Sequence, residues 1–591
     1  MTRLSPLRRR NGKFAVLAAT ILCGTIISTT NASASNKPAA PRYGGDITVG
    51  IFDTFPGFCV SNNPANSALM AERTIYETLF ERTKGGDMIG LLAESGTSSP
   101  DLKTWTITLR QGISFSDGTP FNASAVIANF NAITGRVAAA AYSAGGINAY
   151  ATKAYTVGTG TAFSANIAAM TQKSNYVVEF TLDRPQNDFL STLYASGRFF
   201  MRAPAQLADP AKCANEPIGT GPFKLFSWNT NQMVVVRNSN YWRRDPVNNA
   251  QLPYLNQITF TNVKEASQRA ASVRKGTLQA AMFSSASDGT FIKDLRTRRT
   301  AVKEYRSATE YYPSLWLNQG KPGSPFSNLN ARKAVLSCID RANYLKARNK
   351  GEGSIARSLV GPKSVMYNTT GFPKFSIKTA KHHVAEYLRE SGKSQLEFTM
   401  PADVTSVSQG NAKFLQSTWA KCGIKANIVV EETGVIISKA FNAAPKVSQG
   451  EYYNAYDALP LLLFEGNDVA FNVPFVVTNA YPANSKNPVH ELFKNSVGVV
   501  LGLNHHTDTA VDSWFYEGQA STDKSTAKSK YRSGTAYLQS RAIMGSITHQ
   551  YYTLFTSKKL SGIGQLQIVK GKSQRVVTNW GIDWTGVWKS A

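Results

Sequence analysis

The chain has 591 residues, 42% of them hydrophobic and 17% charged, a length well past the point where one core keeps growing, so two or more lobes are expected. Its formal net charge is +27, but the basic residues are dispersed and no long Lys/Arg tract alternates with aromatics, which argues against a nucleic-acid surface. After the first 34 residues no run of about 20 apolar residues occurs, which argues against a later membrane span.

The first segment carries Arg3, Arg8, Arg9, Arg10 and Lys13, then a mostly apolar run from Phe14 to Ile27, then Asn31-Ala32-Ser33-Ala34-Ser35. This is the pattern of a secretory signal peptide over 1–34, cleaved after Ala34. Cys23 follows Leu22, not the small residue that lipid attachment needs, and the residues after the arginine cluster fit ordinary Sec export better than twin-arginine export. Without the leader the net charge is about +22, suited to solubility, to anionic envelope surfaces or to an acidic ligand. Cys59, Cys213, Cys338 and Cys422 remain; in an oxidising compartment they suggest two disulfides, with three connectivities open. No C-x-x-C spacing supports a zinc site.

From Tyr43 the pattern is mixed α/β. Asp46 to Phe52 reads as a first strand, and Leu69, Ile75, Leu79 and Phe80 recur at helical intervals across Asn66 to Glu81. Trp105, Ile107 and Leu109 alternate with threonines, predicting a half-buried strand over Thr104 to Leu109. Ser116-Asp117-Gly118-Thr119-Pro120 is a turn, and Asn122 a plausible N-cap for a helix through Phe130. Gly135 to Gln172 is rich in small residues and reads as an irregular surface excursion. A strand over Tyr176 to Leu182 and a helix from Phe189 to Tyr194 follow.

Glu216-Pro217-Ile218-Gly219-Thr220-Gly221-Pro222-Phe223-Lys224-Leu225 resembles the P-I-G-T-G-P-F segment of the peptide, opine and nickel binding proteins of ABC importers, the family 5 extracellular solute-binding proteins. It leads into a strand from Phe223 to Trp228 paired by hairpin with Met233 to Arg237, and its glycines permit backbone angles closed to other residues. A phosphate loop would continue Gly-Lys-Ser/Thr into a helix, and does not here. Further matches run in the family's order. Tyr76-Glu77-Thr78-Leu79-Phe80 resembles its early helix, Trp105 to Asn122 its strand and Asp-Gly-Thr-Pro turn, and Asn240-Tyr241-Trp242 the close of the hairpin. Glu265 to Gly276 resembles the helix before the strand Leu278 to Phe283. Leu315 to Asn318, Pro325-Phe326, Ala331 to Ala334 and Ile339-Asp340-Arg341 resemble the crossing strand and the first helix of the second lobe, and Trp419 to Lys425 a later helix-to-strand step.

The resemblance implies an α/β, two-lobed periplasmic binding protein fold, type II in its large cluster C form. Lobe one would span 35–305 with an inserted subdomain around 76–214, lobe two 306–545, and 546–591 would return to lobe one. It implies a monomeric periplasmic receptor, not an enzyme and without cofactor or metal, that closes on a small-molecule or short-peptide ligand and delivers it to an inner-membrane permease. Cys59 and Cys213 then fall in one lobe and Cys338 and Cys422 in the other; pairing within lobes leaves closure free, and free buried thiols are the alternative.

In peptide-binding relatives a second-lobe carboxylate pairs with the ligand's amino terminus, and aromatics line the pockets. Here the matching run departs from the relatives' pattern, and Asp457, then Glu465 and Asp468, are the candidates, with Tyr453 beside them. Phe55, Phe58 and Asn62 are expected at the cleft from the first lobe. Tyr311, Tyr312 and Trp316 are expected near the crossing strand, at least one of them as plain core. The six histidines, His382, His383, His490, His505, His506 and His549, form no metal-binding motif; His505-His506 reads as a surface pair, with help to a metal chelate as the alternative. No Gly-x-Ser-x-Gly elbow supports a hydrolase. An envelope factor holding cell-wall peptides or partner proteins is the other reading of the cleft.

Overall fold

The computed structural model describes residues 40–60, 66–136, 162–297, 301–307, 311–440, 455–463, 468–478, 484–488, 502–569, 571–573 and 581–590. The leader, Asn62, Tyr453, Glu465, His490 and most of the small-residue stretch lie outside these residues.

β1 (Asp46–Ile51) buries Ile47, Val49 and Ile51. α1 is shorter than its apolar spacing suggests and covers Asn66–Glu72. Ile75, Leu79 and Phe80 are buried as the pattern requires, but the chain turns at Thr74, whose hydroxyl donates to the Ala71 carbonyl, and Phe80 opens β2 (Phe80–Arg82). β2 pairs with β3 (Met88–Gly90). β4 (Ala93–Ser98), β5 (Thr104–Leu109), β6 (Ile167–Ser174) and β7 (Val177–Leu182) form an antiparallel sheet in the order β4-β5-β7-β6. α2 (Ala123–Ile133) packs on it, capped by Asn122, whose side chain accepts from the Ala125 amide. The small-residue stretch is not wholly a surface excursion: Phe163, Ala165 and Ile167 are buried, and β6 begins inside it. α3 (Phe189–Tyr194) follows.

β8 (Phe223–Asn229) and β9 (Gln232–Arg237) form the expected hairpin. β10 (Gln257–Asn262), α4 (Ala266–Lys275, ended by left-handed Gly276), β11 (Ala280–Ser284), α5 (Gly289–Thr297) and β12 (Val302–Arg306) complete this half. Their seven-stranded sheet runs β12-β20-β11-β1-β10-β9-β8, where β20 (Tyr552–Ser557) comes from the far end of the chain. The four-stranded sheet is thus inserted between β1 and β8.

The second lobe begins with β13 (Tyr312–Leu317), α6 (Leu329–Ser337, capped by Asn328) and α7 (Arg341–Ala347, capped by Asp340). It continues through β14 (Ser354–Ile355), α8 (Ile377–Ser391), β15 (Leu396–Asp403), α9 (Ser406–Ala420), β16 (Ile424–Glu431), α10 (Thr433–Ala440) and β17 (Ala458–Leu463). Then come α11 (Val469–Val476), α12 (Ala510–Ala520), α13 (Lys524–Ser540), β18 (Met544–Ser546) and β19 (Thr548–His549). β15 and β16 pair in parallel, and β17-β13-β18 form a three-stranded sheet. No helix among the described residues is long and apolar enough to cross a membrane.

The chain crosses between the lobes in two antiparallel segments that bind each other. Tyr311 and Gln550 exchange backbone hydrogen bonds of 2.9 and 2.8 Å, and the Ile547 amide donates to the Pro313 carbonyl at 2.8 Å. Disulfides join Cys59 to Cys213 and Cys338 to Cys422, so neither ties one lobe to the other.

Candidate ligand cleft

The segments that carry the family resemblance converge on Glu77. Its carboxylate accepts from Thr220 Oγ1 (2.9 Å), Tyr241 Oη (2.6 Å) and Trp242 Nε1 (2.7 Å), and it is buried. Gly219 and Gly221 are required by closeness, not by φ: a Cβ on Gly219 would stand 2.2 Å from the Ile75 carbonyl oxygen, and one on Gly221 2.5 Å from it. Neither has a left-handed φ. The motif is a structural joint, and the cleft must be sought elsewhere.

At the crossing, Tyr311 stacks on Tyr552 with ring centroids 4.4 Å apart, and Tyr552 stacks on Phe52 at 6.2 Å. The Arg269 guanidinium lies over Phe52 and pairs with Asp288 at 2.7 Å. Asp53 accepts from the Ser67 amide (2.8 Å) and hydroxyl (2.6 Å); burial raises its carboxyl above the usual range. The Tyr311 hydroxyl is bonded to Ser284 Oγ. Tyr311 is therefore part of the hinge. Phe55 and Phe58 are buried in the first-lobe core, where Phe58 meets Trp228 edge-on at 5.0 Å, so loop packing accounts for both. Phe52 and Asp53, two to six residues earlier, stand at the crossing instead.

β13 carries the chain from this hinge into the second lobe. Tyr312 packs against His549 at 4.8 Å, and Trp316 lies 6.1 Å from Phe475 of α11. Trp316 is fully buried, and its indole N–H has no hydrogen-bond partner among the described residues. The same holds for Gln319 Nε2 and for both Nδ2 and Oδ1 of Asn504. Gln319 and Asn504 are neighbours, the Gln319 amide donating to the Asn504 carbonyl at 2.8 Å, and Trp316 stands three residues before Gln319 in the chain. Orphaned buried polar atoms are rare, and these four, on three residues, make a candidate face for something polar. Gln319 and Asn504 carry no spacing signal that sequence reasoning could use.

The histidine pair sits in this wall and not on the surface. His506 Nε2 donates to the Val476 carbonyl at 2.8 Å while Nδ1 accepts from the Asp508 amide, which fixes a neutral ring. Burial pushes His505 down to about 4 and lowers His506 also. With both His506 nitrogens engaged, a chelating pair does not form.

Asp457 and Asp468 both have partners within the protein. Asp457 Oδ1 accepts from Lys321 Nζ (2.8 Å), and Oδ2 accepts from the Thr399 amide and hydroxyl (both 2.8 Å), a clamp between the turn after β13, β15 and the residue before β17. Asp457, expected from the sequence as the amine partner, thus has Lys321 and Thr399 as partners within the chain. Asp468 caps α11, pairs with Arg82 and accepts from Ser191 Oγ at 2.9 Å, so it ties α11 to β2 and α3.

A family model, the bacterial extracellular solute-binding proteins, family 5, matches residues 87–468. The glutathione-binding protein GsiB of Escherichia coli (strain K12) is 29% identical over 368 residues, 61% of this chain and 65% of the relative, so the chain spans about two thirds of that relative's length. Among solved structures, AgaA of A. tumefaciens R10 in complex with agropinic acid has a TM-score of 0.74 at 19% identity, covering 93% of this chain and 99% of the other. DppA of Helicobacter pylori in complex with the peptide STSA has a TM-score of 0.71 at 20% identity, covering 93% and 99%. Both show the two-lobed fold. With the family match running from the inserted sheet to the cap of α11, the chain belongs to the bacterial extracellular solute-binding proteins, family 5.

Proposed function

We propose that this chain is the solute receptor of an ABC importer. It acts as a monomer outside the inner membrane, closing on a peptide-like solute and passing it to a permease without altering it. The observation that carries this reading is the wall of Trp316, Gln319 and Asn504, whose buried polar atoms lack partners. Leaving such groups unpaired costs about 1–3 kcal/mol each, so the closed form is favoured when a solute supplies the missing bonds. Most of the orphans are donors, which favours a solute rich in carbonyl or carboxylate oxygens. Glutathione, peptides and agropinic acid, named for the relatives, share that chemistry.

Native mass spectrometry of protein exported to a periplasm tests the reading. A mass increment that is released on denaturation and identified as one acceptor-rich solute, or a series of short peptides, is expected. Protein that carries nothing, and that shows no binding in titrations with glutathione, short peptides and opines, overturns it.

The wall makes a second expectation. Asn504→Leu should leave the ligand-free protein as stable as before or up to about 1 kcal/mol more stable, because a desolvated amide is removed. Affinity for the identified solute should fall roughly 10- to 100-fold. Thermal unfolding and calorimetry check both halves; a large stability loss would make Asn504 a structural residue instead.

A further inference from the structure

A cavity of about 310 Å³ lies at the seam between the inserted sheet and the second lobe. It shares no residue with the wall of Trp316, Gln319 and Asn504. α11 separates the two: Val469 at its start lines the cavity, whereas Phe475, about 9 Å further along the axis, packs on Trp316. The volume is at the small end of the range for ligand sites.

Its walls have a consistent chemistry. Met88, Leu190 and Val469 supply apolar surface, and Trp105 adds its ring. Trp105 is buried, and its indole N–H has no hydrogen-bond partner among the described residues. Of the two carboxylates, Asp468 is neutralised by Arg82. Asp188 has only amides: Gln186 Nε2 donates to it at 2.8 Å and Gln519 Nε2 at 3.1 Å. Burial pushes the Asp188 carboxyl up to about 6, and the nearby Asp468 pushes the same way. A carboxylate without a cation and an indole donor without an acceptor thus face one small, partly apolar space. An ammonium group answers the first and a carboxylate the second.

We propose that this cavity binds a small zwitterion of the α-amino acid type, its ammonium on Asp188, its carboxylate on Trp105 Nε1 and its apolar side chain against Met88, Leu190 and Val469. Both lobes form the cavity, so the occupant is held only when they meet, and it favours closure by linkage.

Calorimetry on the full-length mature protein, with L-leucine, N-acetyl-L-leucine and L-leucinamide as probes, tests this. Leucine is expected to bind and raise the melting temperature, and each capped analogue to bind at least about tenfold more weakly. Asp188→Asn should weaken leucine roughly 10- to 100-fold, and Trp105→Phe, which keeps the ring and drops only the N–H, about tenfold. Asn504→Leu, on the far side of α11, should leave leucine binding unchanged. Absence of leucine binding at about 1 mM, equal affinity for the capped analogues, or leucine binding lost in Asn504→Leu but kept in Asp188→Asn and Trp105→Phe would each overturn the assignment.

Discussion

Glu77→Ala is expected to cost about 4 kcal/mol of folding free energy. The substitution strands Thr220 Oγ1, Tyr241 Oη and Trp242 Nε1, all of which now donate to this carboxylate. It also removes a carboxylate close to Arg243, whose ion-pair partner Asp583 is 3.8 Å away. Each buried group left unpaired costs about 1–3 kcal/mol, and water entering the space recovers part of that. Glu77→Gln keeps one acceptor oxygen, and about 2 kcal/mol is expected. Urea unfolding of both variants gives the comparison. A loss below about 1 kcal/mol for the alanine variant would show that the three motif segments hold together without their common acceptor.

That joint also marks where sequence reading succeeded and where it failed. β5, the hairpin β8–β9 and α2 were legible because their signals are local: alternation, a turn and an N-cap. The Asp117 carboxylate accepts from the Thr119 amide at 2.9 Å, as an Asp-Gly-Thr-Pro turn should. Residues 73–81 were read as the second part of a helix because Ile75, Leu79 and Phe80 keep helical spacing. Their conformation is fixed instead by the partners of Glu77, which lie 143, 164 and 165 residues away. Tertiary bonds overrode the local period, and no window of sequence contains them.

The proposed wall has an aromatic member that the sequence suggested and polar members that it did not. Trp316 could be chosen because it sits on the crossing strand, where the resemblance implies the lobes meet. Gln319 and Asn504 could not, since what distinguishes them is the absence of partners, a property of the assembled lobes. The acidic candidates show the converse. Asp457 looks available in the sequence, but Lys321 and Thr399 hold both its oxygens, and Asp468 finds Arg82 across 386 residues. A carboxylate is a strong sequence signal for binding and an equally good one for a clamp.

Glu72→Gln should act opposite to Glu77→Ala and stabilise the protein at neutral pH. Glu72 is fully buried at the end of α1, and neither carboxylate oxygen has a hydrogen-bond partner among the described residues. Arg202 is the nearest compensating charge, but its Nε donates to the Phe58 carbonyl at 2.7 Å and its guanidinium lies over Tyr76. Burial therefore wins over Arg202 and pushes the carboxyl up to about 8 from the ordinary 4.5. In the unfolded chain Glu72 ionises near the ordinary value, so between these two pH values folding must take up a proton. A raised carboxyl pKa means that stability is fully present below pH 4.5, declines as pH rises to about 8 and is level above. At pH 7 the penalty is about 3 kcal/mol. Glutamine has the same shape and no proton to take up, and its own buried amide costs about 1–2 kcal/mol, so a net gain of about 1–2 kcal/mol at pH 7 is expected. The two proteins should have similar melting temperatures near pH 5 and diverge steadily up to pH 8. Parallel melting profiles over that range would mean that Glu72 is ionised in the folded protein and paired with Arg202, and the buried carboxyl would then be a salt bridge like that of Arg269 and Asp288.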